Sequence, residues 1–195
     1  MAGDRATKML ILSSARTLFS EKGYDETPVE EICELAGIAK GTFFYYFESK
    51  QSIVRYILAM QMDEYRNQLL QQMNSLQDAI SRVEYFIAAL IEQAETAPET
   101  DSYFKDGPAD WYETVVREER ARTLLPLLED VVEEGLKQGY LHVKNPEVCT
   151  TVVFYGIDSL LKKCNADDPG LISGIREMTA KTLGIKDTAL AIENY

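Results

Sequence analysis

The chain has 195 residues, of which 46% are hydrophobic and 27% charged, and its formal net charge is −12. This balance argues against intrinsic disorder, and the length permits one large domain or two small ones, burying roughly 70% of the surface the unfolded chain exposes. Eleven Gly and six Pro are too few for a turn-rich β architecture. The longest apolar run, Tyr85 to Ile91, falls far short of the ~20 residues a membrane helix needs. The apolar stretch Met9 to Leu12 is too short for a secretory signal, so a cytoplasmic protein is expected.

Cys33, Cys149 and Cys164 are odd in number and show no CxxC spacing, which excludes a disulfide framework or a zinc knuckle and predicts small apolar sites. The single histidine, His142, follows Gly139 in a predicted loop. One histidine excludes HExxH zinc sites and paired ExxH di-iron sites, and nothing around it has the pattern of a catalytic nucleophile. No catalytic, metal or cofactor site is expected. Glu30, Glu31 and Glu34, like Asp130, Glu133 and Glu134, are spaced as solvated helix faces, so an enzyme is the disfavoured alternative.

The chain reads as a succession of helices. From Lys8 to Lys22, Ile11, Ala15, Leu18 and Phe19 form one apolar face, and Gly23 supplies a left-handed stop. Thr27-Pro28-Val29-Glu30 reads as an N-cap, a proline at the first helical position and a capping-box acid. A short helix with Val29, Ile32, Cys33 and Ala36 on one face follows, ended by Gly37. A second short helix runs from about Ala39 to Phe47, and Ser49 caps a long helix from Lys50 to about Met73. Asp78 to about Ala97 places Ile80, Val83, Ile87, Leu90 and Ile91 inward. The stretch 99–108 is irregular. Two helical segments, Asp110 to Arg122 and Leu124 to Gln138, flank a first turn or kink at Pro126, and Gly139 ends them. Asn145-Pro146-Glu147 opens a helix to about Cys164, and Asp167/Asp168-Pro169 opens a last one that Gly184 closes. No period-2 alternation is long enough for a strand.

Residues 27–47 carry the chemistry. Two short helices joined at Gly37-Ile38-Ala39, with a longer helix before them, form a helix-turn-helix whose second helix enters the major groove by its leading end. Ala39 and Gly41 allow close backbone approach. Lys40 can reach a phosphate or a guanine edge, and Thr42 a phosphate or a thymine methyl. Phe43 and Phe47, four apart, face the core with Ile38, which leaves Phe44, Tyr45 and Tyr46 on the other faces. Aromatics on a solvent face suit packing on sugar and base edges. The alternative for Lys40-Gly41-Thr42 is a plain turn, and for the two tyrosines partial core packing.

The stretch ILSSARTLFSEKGYDETPVEEICELAGIAKGTFFYYFESKQSI, residues 11–53, resembles the DNA-binding domain of the tetracycline-repressor (TetR) family. The resemblance rests on Ala15, Leu18-Phe19, Gly23-Tyr24, Thr27, Ile32, Ala36-Gly37-Ile38, Lys40-Gly41-Thr42, Tyr45, Phe47 and Ser49-Lys50. It implies an all-α protein with a three-helix helix-turn-helix DNA-binding domain over residues 1–48. A helical ligand-binding and dimerisation domain over 49–195 follows. It further implies a regulator, most simply a ligand-released repressor, that acts as a homodimer on a palindromic double-stranded operator. A DNA-binding regulator without a small-molecule effector is the alternative. By resemblance Thr27 contacts phosphate, Lys40, Gly41 and Thr42 enter the groove, Tyr45 and Tyr46 touch backbone and base, and Lys50 clamps a phosphate. Phe44, Tyr46 and Ala39 depart from the family's usual Tyr, His and hydroxyl residue, and Gln51-Ser52 replaces a frequent acidic pair.

For the effector, the aromatic-rich residues Tyr103, Phe104, Trp111, Tyr112 and Val115, with Tyr56, Met60 and Phe86, are candidate cavity-lining residues. Their alternative is ordinary core. For the homodimer, Val153, Ile157, Leu160 and Leu161 on one late helix and Ile172, Ile175, Met178, Thr179 and Leu183 on the next are candidates for a four-helix interface. Their alternative is packing within the chain.

Overall fold

The computed structural model describes residues 2–95, 102–104, 110–163 and 168–185. Eight α-helices lie among them, and no strand. They are α1 (Ala2–Lys22), α2 (Val29–Ala36), α3 (Lys40–Tyr46), α4 (Lys50–Met73), α5 (Ala79–Glu95), α6 (Asp110–Gln138), α7 (Pro146–Lys163) and α8 (Pro169–Leu183). Ser102 and Tyr103 form a single 3₁₀ turn. None of the described helices is long and apolar enough to cross a membrane.

The chain packs as two compact units: Met1–Met62 with Pro98–Glu119, and Asp63–Ala97 with Arg120–Tyr195. The division expected from the motif, 1–48 and 49–195, is drawn along the chain. The compact units instead cut through α4 and α6. In α4, Ile53, Val54, Ile57 and Leu58 belong to the core of the first unit and Leu69 and Met73 to that of the second. In α6, Tyr112 and Val115 join the first core and Leu124, Leu127, Leu128 and Val132 the second.

Capping decides most helix ends. Ser49 and Ser52 cap α4 reciprocally: the Ser52 backbone N–H donates to Ser49 Oγ, and the Ser49 N–H to Ser52 Oγ, each at 3.2 Å. The cap-proline pattern works as expected at Asn145, whose Oδ1 accepts from Val148 N at 3.2 Å, and at Asp168, whose Oδ1 accepts from Gly170 N at 2.9 Å. It fails at Thr27. Pro28 is the N-cap of α2, with no side-chain cap bond. Thr27 is fully buried, and its hydroxyl donates to the Gly23 carbonyl at 2.7 Å, satisfying an acceptor left open past the end of α1. The first-turn alternative for Pro126 also fails, since no helix starts there. Pro126 lies inside one continuous helix of 29 residues, where packing of Leu124, Leu127 and Leu128 outweighs one missing backbone bond.

In the first unit, α1 packs on α2 and α2 on α3. Ile11, Ala15, Leu18 and Phe19 of α1 are buried, as their spacing predicts. The core also takes in residues from beyond α4. The Tyr24 N–H donates to the Tyr103 carbonyl at 2.6 Å. Ring centroids separate Phe19 and Tyr103 by 5.4 Å, Tyr24 and Phe104 by 5.2 Å, Tyr24 and Trp111 by 5.5 Å, and Phe104 and Tyr112 by 4.7 Å. In the second unit α7 packs on both α5 and α8 over an aliphatic core that includes Phe86 and Phe154.

Two glycines with left-handed φ separate backbone strain from steric crowding. Gly37 (φ 65°) ends α2 with Ile38 N bonded to Cys33 O at 3.0 Å, and a Cβ there would meet nothing within 4 Å. Gly184 (φ 63°) ends α8 in the same way, but a Cβ there would lie 2.3 Å from the His142 carbonyl oxygen. Gly37→Ala is therefore expected to cost about 1 kcal/mol and Gly184→Ala at least about 3 kcal/mol, measured by urea denaturation. Tyr103→Ala is expected to cost about 3–5 kcal/mol by the same measurement, because it removes a fully buried ring from the first core.

Candidate nucleic-acid interface

A seven-residue helix such as α3 has no stability of its own. It is held by Phe43, fully buried, and by Phe47, 4% exposed, at the residue that ends it. Both join a core with Ile32 and Cys33 of α2 and Ile11 and Phe19 of α1. The connection is short because α2 ends on the left-handed Gly37, after which Ala39 is extended (φ −75°, ψ 150°) and begins α3.

Burying Phe43 and Phe47 turns the rest of α3 outward. Phe44 is 47% and Tyr45 76% exposed. Ala39, Lys40 and Gly41 are exposed, and Thr42 and Tyr46 half-buried. A Cβ on Gly41 would meet nothing within 4 Å, so no packing inside the molecule requires a glycine there. The Tyr45 and Tyr46 rings meet edge to face, their centroids 4.9 Å apart. The structure thus brings together seven of the nine residues expected at DNA on one surface: Ala39, Lys40, Gly41, Thr42, Phe44, Tyr45 and Tyr46.

The other two lie differently. Thr27 is buried, with its hydroxyl committed to Gly23, and is a packing residue. Lys50 is half-buried. Its ammonium donates to the Tyr24 carbonyl at 2.7 Å and sits 4.5 Å from the centre of the Tyr24 ring. Burial pulls its pKa down, opposed by Asp25 and Glu26, and burial pushes that of Tyr24 up to about 12. Lys50 therefore braces the turn between α1 and α2.

Two acidic partners were not foreseen. Glu30, expected to close a capping box, instead pairs with Lys40, and each holds the other charged: the hydrogen bond raises the lysine pKa and lowers that of the carboxylate. Asp4 accepts a hydrogen bond from the Tyr46 hydroxyl, whose pKa rises as a result. Ten and forty-two residues separate these partners, and no local spacing rule reaches that far. Lys8 lies 3.8 Å from the centre of the Tyr56 ring, a cation–π contact. Arg5 is exposed.

Of the residues expected to line an effector cavity, Phe86 belongs to the second compact unit and the others to the first. Tyr103, Phe104, Trp111, Tyr112 and Val115 are core or near-core residues of the first unit around Tyr24. Tyr56 stacks edge-on to Phe47, Met60 is 40% exposed, and Phe86 is core in the second unit. The aromatic rings around Tyr24 complete the first core. The dimer residues divide similarly. Val153, Ile157, Leu161, Ile175, Thr179 and Leu183 are buried within the chain, and Leu160, Ile172 and Met178 are half-buried. The exposed apolar stripe of α7 is instead Val148, Val152 and Tyr155, spaced by four and three residues and 53%, 50% and 42% exposed. Cys33 is buried and Cys149 half-buried, while Cys164 lies outside the described residues.

Residues 11–57 match the family described as "Bacterial regulatory proteins, tetR family". The chain is 24% identical over 177 residues to the uncharacterized HTH-type transcriptional regulator YhgD of Bacillus subtilis, covering 88% of this chain and 93% of that one. It is 33% identical over 85 residues to IcaR of Staphylococcus aureus, the HTH-type negative transcriptional regulator of the biofilm operon icaADBC. That match covers 44% of this chain and 46% of IcaR. Among solved structures, RolR in complex with resorcinol superposes with a TM-score of 0.63 at 21% identity, covering 97% of both chains. FadR of Bacillus subtilis in complex with stearoyl-CoA superposes at 0.58 and 17% identity, covering 94% of this chain and 99% of that one. The helix-turn-helix of α2 and α3, the all-helical fold and these relatives agree: residues 11–57 match the tetR family of bacterial regulatory proteins, and the protein is a helix-turn-helix, DNA-binding regulator of transcription similar to that family's members.

Proposed function

We propose that the protein is a cytoplasmic, non-enzymatic repressor that binds a palindromic operator as a homodimer and is released by a small-molecule effector. Residues 1–48 read DNA, and residues 49–195 dimerise and bind the effector. The observation that carries the DNA-reading role is Tyr45, three-quarters exposed beside Phe44, on a helix whose leading end offers Lys40 and an uncrowded Gly41. Such a surface costs the free protein apolar exposure that a nucleic-acid partner would cover.

In this reading Ala39 and Gly41 let the backbone approach the groove, and Lys40 exchanges Glu30 for a phosphate or guanine edge. Both pair members are more than half exposed, so the exchange costs little. Thr42 meets backbone or a thymine methyl, and Phe44, Tyr45 and Tyr46 pack on sugar and base edges. Thr27 and Lys50 act through the turn they brace. Two copies place their reading helices about 34–36 Å apart, one helical turn of DNA or slightly more. Dimerisation uses the Val148, Val152 and Tyr155 stripe of α7, since the face expected from sequence is largely spent inside the chain. Helices α4 and α6, each shared by both compact units, carry the effector's influence to the reading head, and effector and DNA then weaken each other by the same factor.

Repressor function is supported by the likeness to IcaR, and effector binding by the ligand complexes of RolR and FadR. Fluorescence anisotropy on DNA from the promoter of the protein's own gene, at several salt concentrations, tests the reading helix. Lys40→Ala with Tyr45→Ala is expected to weaken binding by about 30-fold or more, and full retention would contradict the assignment. A shallow slope of log affinity on log salt is expected from so few cations. For the dimer, Val152→Glu is expected to raise the dissociation constant at least about tenfold in sedimentation equilibrium, because the interface would bury an unpaired carboxylate. An unchanged dimer would place the interface elsewhere.

A further inference from the structure

Among the described residues, the second unit holds an ion-pair cluster that is largely withdrawn from solvent. Arg120 of α6, with its side chain 12% exposed, donates through Nη1 to Asp158 Oδ1 of α7 at 3.0 Å and through Nη2 to the Leu90 carbonyl of α5 at 3.1 Å. Asp158, 8% exposed, also pairs through Oδ2 with Lys162 at 3.2 Å. Beside this group the Tyr65 hydroxyl of α4 donates to the Ala89 carbonyl at 2.7 Å. The charge facing Arg120 is that of Asp158, and the Tyr65 hydroxyl stays protonated because burial pushes its pKa up to about 12.

Two polar atoms here are buried without a partner: Arg120 Nε and Thr123 Oγ1. They lie three residues apart on α6, a spacing that puts both on one helix face. Thr123 is only 4% exposed. Buried donors are almost always satisfied, and each orphan costs free energy until an acceptor reaches it. Arg120, Asp158 and Lys162 together carry one net positive charge. Asp158 keeps Lys162 if Arg120 turns part of its donor set to another anion. One further negative charge is thus accommodated, and a twice-charged, strongly hydrated phosphate matches poorly.

We propose that Arg120 and Thr123 form the polar anchor for an amphiphilic monocarboxylate, which accepts hydrogen bonds from Arg120 Nε and Thr123 Oγ1 and lays its apolar body among the core side chains of the second unit. This rests on the effector-binding reading above and gives that effector a chemical class. The anchor is enclosed, so a ligand reaches it only when the surrounding helices part. Occupancy is thereby tied to the packing of α5, α6 and α7, and α6 also contributes Tyr112 and Val115 to the core of the DNA-reading unit.

Decanoate, phenylacetate and benzoate, each against its primary alcohol or amide, are titrated into the full-length protein by calorimetry, with promoter-DNA anisotropy in parallel. At least one carboxylate is expected to bind, at least about tenfold tighter than its uncharged analogue, and to release DNA. Thr123→Val removes only an unpartnered hydroxyl, so it is expected to keep or raise its melting temperature and keep its operator affinity while losing about tenfold in carboxylate affinity. Arg120→Gln is expected to lose more. Absence of binding by all three carboxylates at millimolar concentration, equal binding of the uncharged analogues, or unchanged carboxylate affinity in Thr123→Val would overturn the anchor and leave a structural ion pair only. Operator binding that persists in that case leaves the DNA-reading function standing. Carboxylate binding that spares the DNA complex would uphold the anchor and remove the ligand-released mechanism.

Discussion

Burial of Phe43 and Phe47 is the constraint on which the proposed DNA-reading surface depends. A helix of seven residues cannot persist in water alone. Each phenylalanine contributes about 1.5–3 kcal/mol on leaving solvent, enough to hold α3 against α1 and α2. The same burial fixes the rotation of α3. With Phe43 inward, the 100° step of the helix leaves no orientation in which Phe44 and Tyr45 are also covered. Exposed aromatics, usually a fault in a folded protein, follow here from the packing that makes the helix possible.

The core beneath α3 is drawn from distant parts of the chain. Tyr103, Phe104 and Tyr112 pack around Phe19 and Tyr24, and the Tyr24 backbone is bonded to that of Tyr103. The turn that orients α2 is held from one side by these rings and from another by Lys50. The reading head is therefore a property of two chain segments about forty residues apart. Trp111, at the start of α6, packs directly on Tyr24 in the turn before α2.

Electrostatics plays a restrained part. The net charge of −12 opposes a polyanion, and three of the described cations near α3 are engaged: Lys40 with Glu30, Lys50 with carbonyls, Lys8 over an aromatic ring. Association with arbitrary DNA gains little from such a surface. In the proposed reading, recognition comes from fitted contacts, with Glu30 and Asp4 as internal partners that a correct site replaces.

Much was legible in sequence because it is local. Helix periodicity, the glycine stops at Gly23, Gly37, Gly139 and Gly184, the caps at Asn145 and Asp168, and the inward Phe43/Phe47 pair each depend on residues within one or two turns, and the tetR-type motif spans a continuous stretch. Tertiary packing alone decided the rest. Thr27 has the residue type and place of a cap, but full burial in the fold turns its hydroxyl back to the Gly23 carbonyl and away from the start of α2. Tyr103, Phe104 and Tyr112 look the same in sequence whether they line a cavity or fill a core, and α7 has apolar residues on two faces. Which of these becomes interior depends on what packs against it, a long-range fact that neither periodicity nor residue type encodes. The pairing of Arg120 with Asp158, across 38 residues, is of the same kind.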